Sequence, residues 1–88
     1  MYYPIGTLVL LKEGTVKVLI IGYKVKEANS DKVYDYLGCA YPIGVLKSDQ
    51  NLLFDKEKID KVIHLGYKDE EFDLIEEQLK IIDELGNK

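Results

Sequence analysis

The ten residues from Val16 to Val25, Val-Lys-Val-Leu-Ile-Ile-Gly-Tyr-Lys-Val, constrain the fold of this chain more than any other stretch. The run is rich in β-branched residues, and Val18 to Ile21 is apolar at every position, so a strand here is apolar on both faces. Such a strand belongs in the middle of a sheet or a small barrel rather than at an edge. Thr7-Leu8-Val9-Leu10-Leu11 just upstream is too short for a helix and reads as its first neighbour. Lys12-Glu13-Gly14 between them predicts a hairpin, with Gly14 suited to a positive φ. Gly22 within the long run predicts a bulge or a close backbone approach.

After a polar loop over residues 26–32, Val33 to Cys39 resumes strand character. Alternation puts Tyr34 and Tyr36 on one face and Val33, Asp35, Leu37 and Cys39 on the other, where Asp35 needs a partner or an edge position. Val45-Leu46-Lys47 is a candidate short strand, Ser48 to Asn51 a turn, and Leu52-Leu53-Phe54 an apolar anchor. Asp55 is placed to cap one helical turn over Lys56 to Asp60. Val62 to Leu65 reads as a last strand closed by Gly66. Beyond it, Asp69 is an N-cap candidate, followed by Glu70, Glu71 and Asp73, which complement a helix dipole, and Gly86 suits the C-terminal end. At 100° per residue, Phe72, Ile75, Leu79 and Ile82 form one stripe, and Leu74, Ile81 and Leu85 a second about 100° away. The remaining face carries Asp73, Glu76, Glu77, Lys80, Asp83 and Glu84. The expected fold is α+β over residues 1–88 as one domain, with a sheet across 5–67 and a C-terminal helix across 69–85. Four or five short consecutive strands predict a strongly curved antiparallel sheet. An SH3-like barrel is the preferred form, and an open sheet with the helix across one face is the alternative.

Composition narrows the function classes. A single cysteine, Cys39, forms no internal disulfide, and with one histidine, His64, it falls short of a structural zinc set. Residues 1–48 hold six lysines against four carboxylates, whereas residues 49–88 hold six lysines against twelve, and the chain has no arginine. An acidic balance without arginine's bidentate fork counts against nucleic acid, although seven tyrosines would suit base stacking. No run approaches the ~18 apolar residues of a membrane span, and the first residues lack the basic start of a signal peptide, so a cytoplasmic protein without membrane contact is expected.

Few residues carry chemistry. Cys39 as nucleophile, His64 as base and Asp35 as orienting group make a formal catalytic set, but none sits in a signature context, and a core cysteine and a sheet histidine are the simpler reading. Asp55, Glu57 and Asp60 lack the glycine and terminal glutamate of a calcium loop. No enzyme, metal or cofactor is expected. Tyr-Pro-Ile-Gly occurs twice, at Tyr3–Gly6 and Tyr41–Gly44. Proline fixes φ, extends the tyrosine before it and is followed by a glycine free to turn, so two matched corners are the favoured reading. Tyr41 and Pro42 as part of a rigid recognition patch are the alternative. The second helical stripe, Leu74, Ile81 and Leu85, either packs on Leu52-Leu53-Phe54 or stands exposed to take a partner helix or a second copy of this chain.

Four segments carry a resemblance: Tyr3 to Lys12, Val18 to Tyr23, Tyr34 to Gly44 with its Tyr-Asp-Tyr-Leu-Gly-Cys-Ala-Tyr-Pro-Ile-Gly, and Ile63 to Tyr67. In this order they resemble a small family of domains of unknown function encoded beside LXG toxins of the type VII secretion system in Gram-positive bacteria. The resemblance implies a cytoplasmic accessory, chaperone or targeting factor for export of an LXG toxin, with that toxin or its small helical companion proteins as partners. A position beside toxin genes also motivates the alternative of an immunity protein. The resemblance brings no catalytic residues with it.

Overall fold

A computed structural model of the chain describes residues 1–47 and 50–86. Five strands, β1 (Leu8–Leu11), β2 (Lys17–Lys26), β3 (Val33–Ala40), β4 (Leu52–Phe54) and β5 (Ile59–His64), form one antiparallel sheet in the order β4-β3-β2-β1-β5. One α-helix among the described residues, α1 (Glu70–Gly86), follows. The strand with two apolar faces, β2, occupies the centre, as its composition requires.

The edges β4 and β5 do not pair, so the sheet is open and the preferred closed barrel is not formed. It is nevertheless strongly curled. Edge strands of a flat five-stranded sheet lie about 19 Å apart. Here only Asp55 and the 3₁₀ turn Lys56–Lys58 join β4 to β5. A link of that length reaches at most ~17 Å extended, and less as a 3₁₀ turn. The two edges are therefore drawn together without joining.

The inner face holds the core. Val9, Val18, Ile20, Tyr36 and Phe54 are buried there with Tyr2 from the N-terminal segment and Leu79 from α1. Phe54 stacks on Tyr36 with ring centroids 5.4 Å apart. Their contact explains Gly38, where a Cβ would come within 2.5 Å of the Val18 side chain and 3.1 Å of Phe54. Full burial of side chains this size stabilises the fold by about 1.5–3 kcal/mol each. Alternation turns Leu8, Leu10, Leu19, Leu37 and Leu53 to the outer face, where they are half-buried and stand outside the core cluster.

Several local expectations resolve differently. The bulge expected at Gly22 is present, as a register shift between Ile20 and Gly22. In the β1–β2 hairpin the positive φ falls on Glu13 (64°) and not on Gly14, whose N–H instead donates to the Leu11 carbonyl at 3.0 Å. Val45–Lys47 forms no strand, and only Gly44 bridges back to Ala40. The fourth strand is instead Leu52–Phe54, the segment expected as a mere anchor. The turn expected over Ser48–Asn51 falls partly outside the described residues. Asp55 precedes a helical turn as expected, but its side chain makes no cap bond there. Both Tyr-Pro-Ile-Gly segments are corners with glycine at positive φ, 90° at Gly6 and 82° at Gly44.

Candidate interaction surface

The C-terminal helix begins where the sequence places it: the Phe72 N–H donates to Asp69 Oδ1 at 3.1 Å, and three carboxylates fill the first turn. Its docking seam differs from the apolar stripe read from the sequence. The residues facing the sheet are Phe72, Glu76, Leu79 and Asp83, spaced four, three and four apart, two apolar and two acidic. Ile75 and Ile82 are 48% and 47% exposed at the side of this seam.

Polar partners from distant parts of the chain rotate the helix in this way. The Tyr2 backbone N–H donates to Glu76 Oε2 at 2.9 Å, and its hydroxyl donates to Asp83 Oδ2 at 2.7 Å. Lys24 donates to both Asp83 and Asp35, the latter at 3.0 Å, and Lys56 lies 3.8 Å from Asp83. Asp35, the acid that needed a partner, also accepts from the Lys56 backbone N–H at 3.0 Å. Lys24 sits at a φ of 51° inside β2. A non-glycine residue there costs about 1–2 kcal/mol, offset by the two carboxylates its ammonium meets. Lys24 and Lys56 also lie over the Tyr2 ring, 5.5 and 4.1 Å from its centroid.

The titration behaviour follows from these contacts. Burial works against the charge of Lys24, but the hydrogen bonds it makes to Asp83, Tyr2 and Asp35 outweigh it and raise the ammonium's pKa. Burial likewise opposes ionisation of both acids, yet the Lys56 N–H and Lys24 hold Asp35, and Lys24 and the Tyr2 hydroxyl hold Asp83, below the usual carboxylate range. The Tyr2 N–H lowers Glu76. Burial, then the Glu76 charge, pushes the Tyr23 hydroxyl up to about 12. The cluster borders an open cleft of about 590 Å³. Its charges are mutually satisfied: it is a clamp joining the N-terminal segment, β2, β3 and α1.

With the seam filled this way, Leu74, Ile81 and Leu85 lie on the opposite side of the helix, 66%, 48% and 66% exposed. They do not pack on Leu52-Leu53-Phe54, whose Phe54 faces the core and whose Leu53 faces outward. The exposed face widens through Ile75 into a groove of about 190 Å³ lined by Ile5, Tyr23, Tyr67, Glu71, Phe72 and Ile75. Tyr41 and Pro42 are exposed at the other end of the β2–β3 pair. The Tyr41 N–H donates to the Lys17 carbonyl, and Lys17 is seven residues along β2 from Lys24, about 23 Å in strand rise. The structure therefore groups the three helix residues and leaves Tyr41 and Pro42 apart from them.

The formal catalytic set is not assembled either. Cys39 is buried in β3, while His64 is exposed on β5, with β2 and β1 between them, about 14 Å across the sheet. Asp35 is committed to Lys24 and Lys56. Asp55 accepts from the Asp35 N–H and from Lys32, and no acidic or histidine cluster with metal-holding geometry occurs among the described residues. Of the tyrosines, Tyr2 and Tyr36 are buried, so their rings are no stacking platform. Among the described residues no helix is long and apolar enough to cross a membrane.

The clamp residues Tyr2, Lys24, Glu76 and Asp83 were not legible as a set. The one available signal was Asp35, an acid on an apolar strand face, together with Glu76 and Asp83 flanking Leu79 at helical spacing. No curated protein and no solved structure matches this chain. The sequence model of one family matches residues 2–74, which takes in the whole sheet and the first turn of α1, so the chain belongs to the family described as Domain of unknown function (DUF4176).

Proposed function

We propose that this protein is a non-enzymatic binding module, an accessory or targeting factor that holds an LXG-type toxin of the type VII secretion system, or its small helical companion proteins, in the cytoplasm before export. The observation that carries the reading is the outer face of α1. Leu74, Ile81 and Leu85 stand exposed on a helix whose docking to its own sheet is already complete. Exposed apolar surface of this extent is a recurrent mark of a protein-binding face. The ordered motifs Tyr3–Lys12, Val18–Tyr23, Tyr34–Gly44 and Ile63–Tyr67 supply the partner class by resemblance. Burial of exposed toxin surface, with display of a composite signal to the secretion machinery, is the mechanism this suggests.

Co-purification with the separated LXG and toxin domains tests the proposal. Capture of the LXG segment or its helical companions, lost in Leu74→Asp or Ile81→Asp, is expected. Binding only to the C-terminal toxin domain, together with protection of cells from it, would replace the export reading with immunity. Loss of function in Cys39→Ser or His64→Ala with the fold intact would point to an enzyme instead.

A further inference from the structure

The outer face of α1 has a chemical asymmetry that selects its occupant. At 100° per residue the apolar positions run from Ile81, Leu74 and Leu85 round to Ile82 and Ile75, with Gln78 and Glu71 between the two groups. Along one flank run Glu70, Asp73, Glu77 and Glu84, all exposed, at spacings of three, four and seven residues. Lys80, beyond that ridge, is the only cation among the seventeen residues of α1. On the other flank lies the groove of Ile5, Tyr23, Tyr67, Phe72 and Ile75, where Glu71 is the one charged residue, large enough for one leucine or phenylalanine side chain. We infer that this face receives an amphipathic helix of a partner protein whose apolar stripe is flanked by lysine or arginine, with one large apolar side chain anchored in the groove.

Charge decides between this occupant and a second copy of the chain. Two α1 helices paired face to face and antiparallel about a two-fold axis place both carboxylate ridges on the same side, and like charges in register repel. A basic-flanked helix sets cations against the ridge at the same three-, four- and seven-residue spacing. The helix length of about 25 Å limits the contact to the small, weak end of interface sizes, so charge pairing and one anchored side chain carry most of the selectivity. The inference rests on the binding-module reading of the same face and adds the chemistry of the partner.

Two synthetic peptides test it, with identical leucine stripes and either lysine or glutamate at the flanking positions, titrated into the isotopically labelled full chain and followed by amide chemical shifts. The lysine peptide is expected to shift α1, Ile5 and Tyr67, and to bind about tenfold more tightly than the glutamate peptide at low salt, the gap closing as salt rises. Glu77→Lys with Glu84→Lys should abolish or invert that preference while leaving the fold unchanged. Tyr67→Ala should weaken both peptides alike, since the tyrosine contributes apolar surface to the groove and no charge. Equal affinity for the two peptides, shifts centred on the outward leucines of the sheet, or no binding by either peptide would overturn the inference, as would concentration-dependent self-association through α1. An adjacent toxin that binds while neither peptide does would sink this inference and leave the proposed function standing. Peptide binding without toxin binding would do the reverse.

Discussion

The inner and outer faces of α1 invert the usual division of labour on a surface helix. The inner face, which should be the apolar one, alternates Phe72, Glu76, Leu79 and Asp83, with only Leu79 buried. The outer face, which should be polar, carries Leu74, Ile81 and Leu85. Amphipathicity normally points a helix at its own core. Here a polar clamp fixes its rotation instead: Asp83 held by Tyr2, Lys24 and Lys56, and Glu76 by the Tyr2 N–H. A helix docked by specific hydrogen bonds can spare its leucines. The difference teaches that hydrophobic periodicity locates a helix but does not by itself say which way it faces.

The largest effect that bears on this contrast is expected at Leu79. Leu79→Asp puts a carboxylate into the contact with Tyr2, Val9 and the strand core, and we predict a loss of about 3–5 kcal/mol, read as a shift in the urea midpoint. A loss below about 1 kcal/mol would mean that α1 is not packed on the sheet in solution. Next comes the clamp. Asp83→Ala leaves Lys24 partly buried with one carboxylate instead of two, and should cost about 1–3 kcal/mol. Leu→Ala at position 74, on the other face, provides the matched control and should cost far less.

The clamp also predicts an acid dependence with a definite sign. The carboxyls of Asp35 and Asp83 titrate below their ordinary value of 3.8 in the folded chain. Their contribution is therefore complete above that value and is lost as the pH falls through the lower folded one. Stability should be flat from neutrality to about pH 5 and drop steeply towards pH 3, and Asp83→Asn should make that drop shallower. Urea midpoints measured at both ends of this range decide it. An unchanged acid slope in Asp83→Asn would remove Asp83 from the clamp.

Much of the fold was legible because it depends on local chemistry. The central strand followed from Val18 to Ile21 being apolar at consecutive positions, the bulge from Gly22, and the helix start from Asp69 followed by three acids. The features that escaped depend on contacts remote in sequence. Leu52–Phe54 is too short to show alternation and becomes a strand because β3 offers an edge and Tyr36 a stacking surface. The barrel stays open because β4 and β5 are joined by a turn that brings them near without pairing them. The rotation of α1 rests on Tyr2, Lys24 and Asp35, which lie far upstream, and no pattern inside the helix reveals such partners. The outer stripe itself was read correctly as residues, whereas its two destinations, core or surface, could be separated only once Glu76 and Asp83 were seen to fill the seam.

The smallest effect predicted is therefore the most informative. Leu74→Asp and Ile81→Asp, singly or together, should change stability by no more than about 0.5 kcal/mol, because each side chain is already about half exposed or more and leaves no cavity or unpaired group behind. A small gain is as consistent with the arrangement as a small loss, since replacing exposed leucine by aspartate removes apolar area from water in both states. On the inner face an equally drastic change at Leu79 costs several kilocalories per mole. If the outer substitutions instead unfold the chain, the stripe belongs to a core, α1 is turned by half a rotation, and Glu76 and Asp83 face solvent without Tyr2 or Lys24. If the fold survives while partner capture is lost, stability and binding reside on opposite faces of one helix, held there by the hydrogen bonds of a tyrosine at the second residue of the chain.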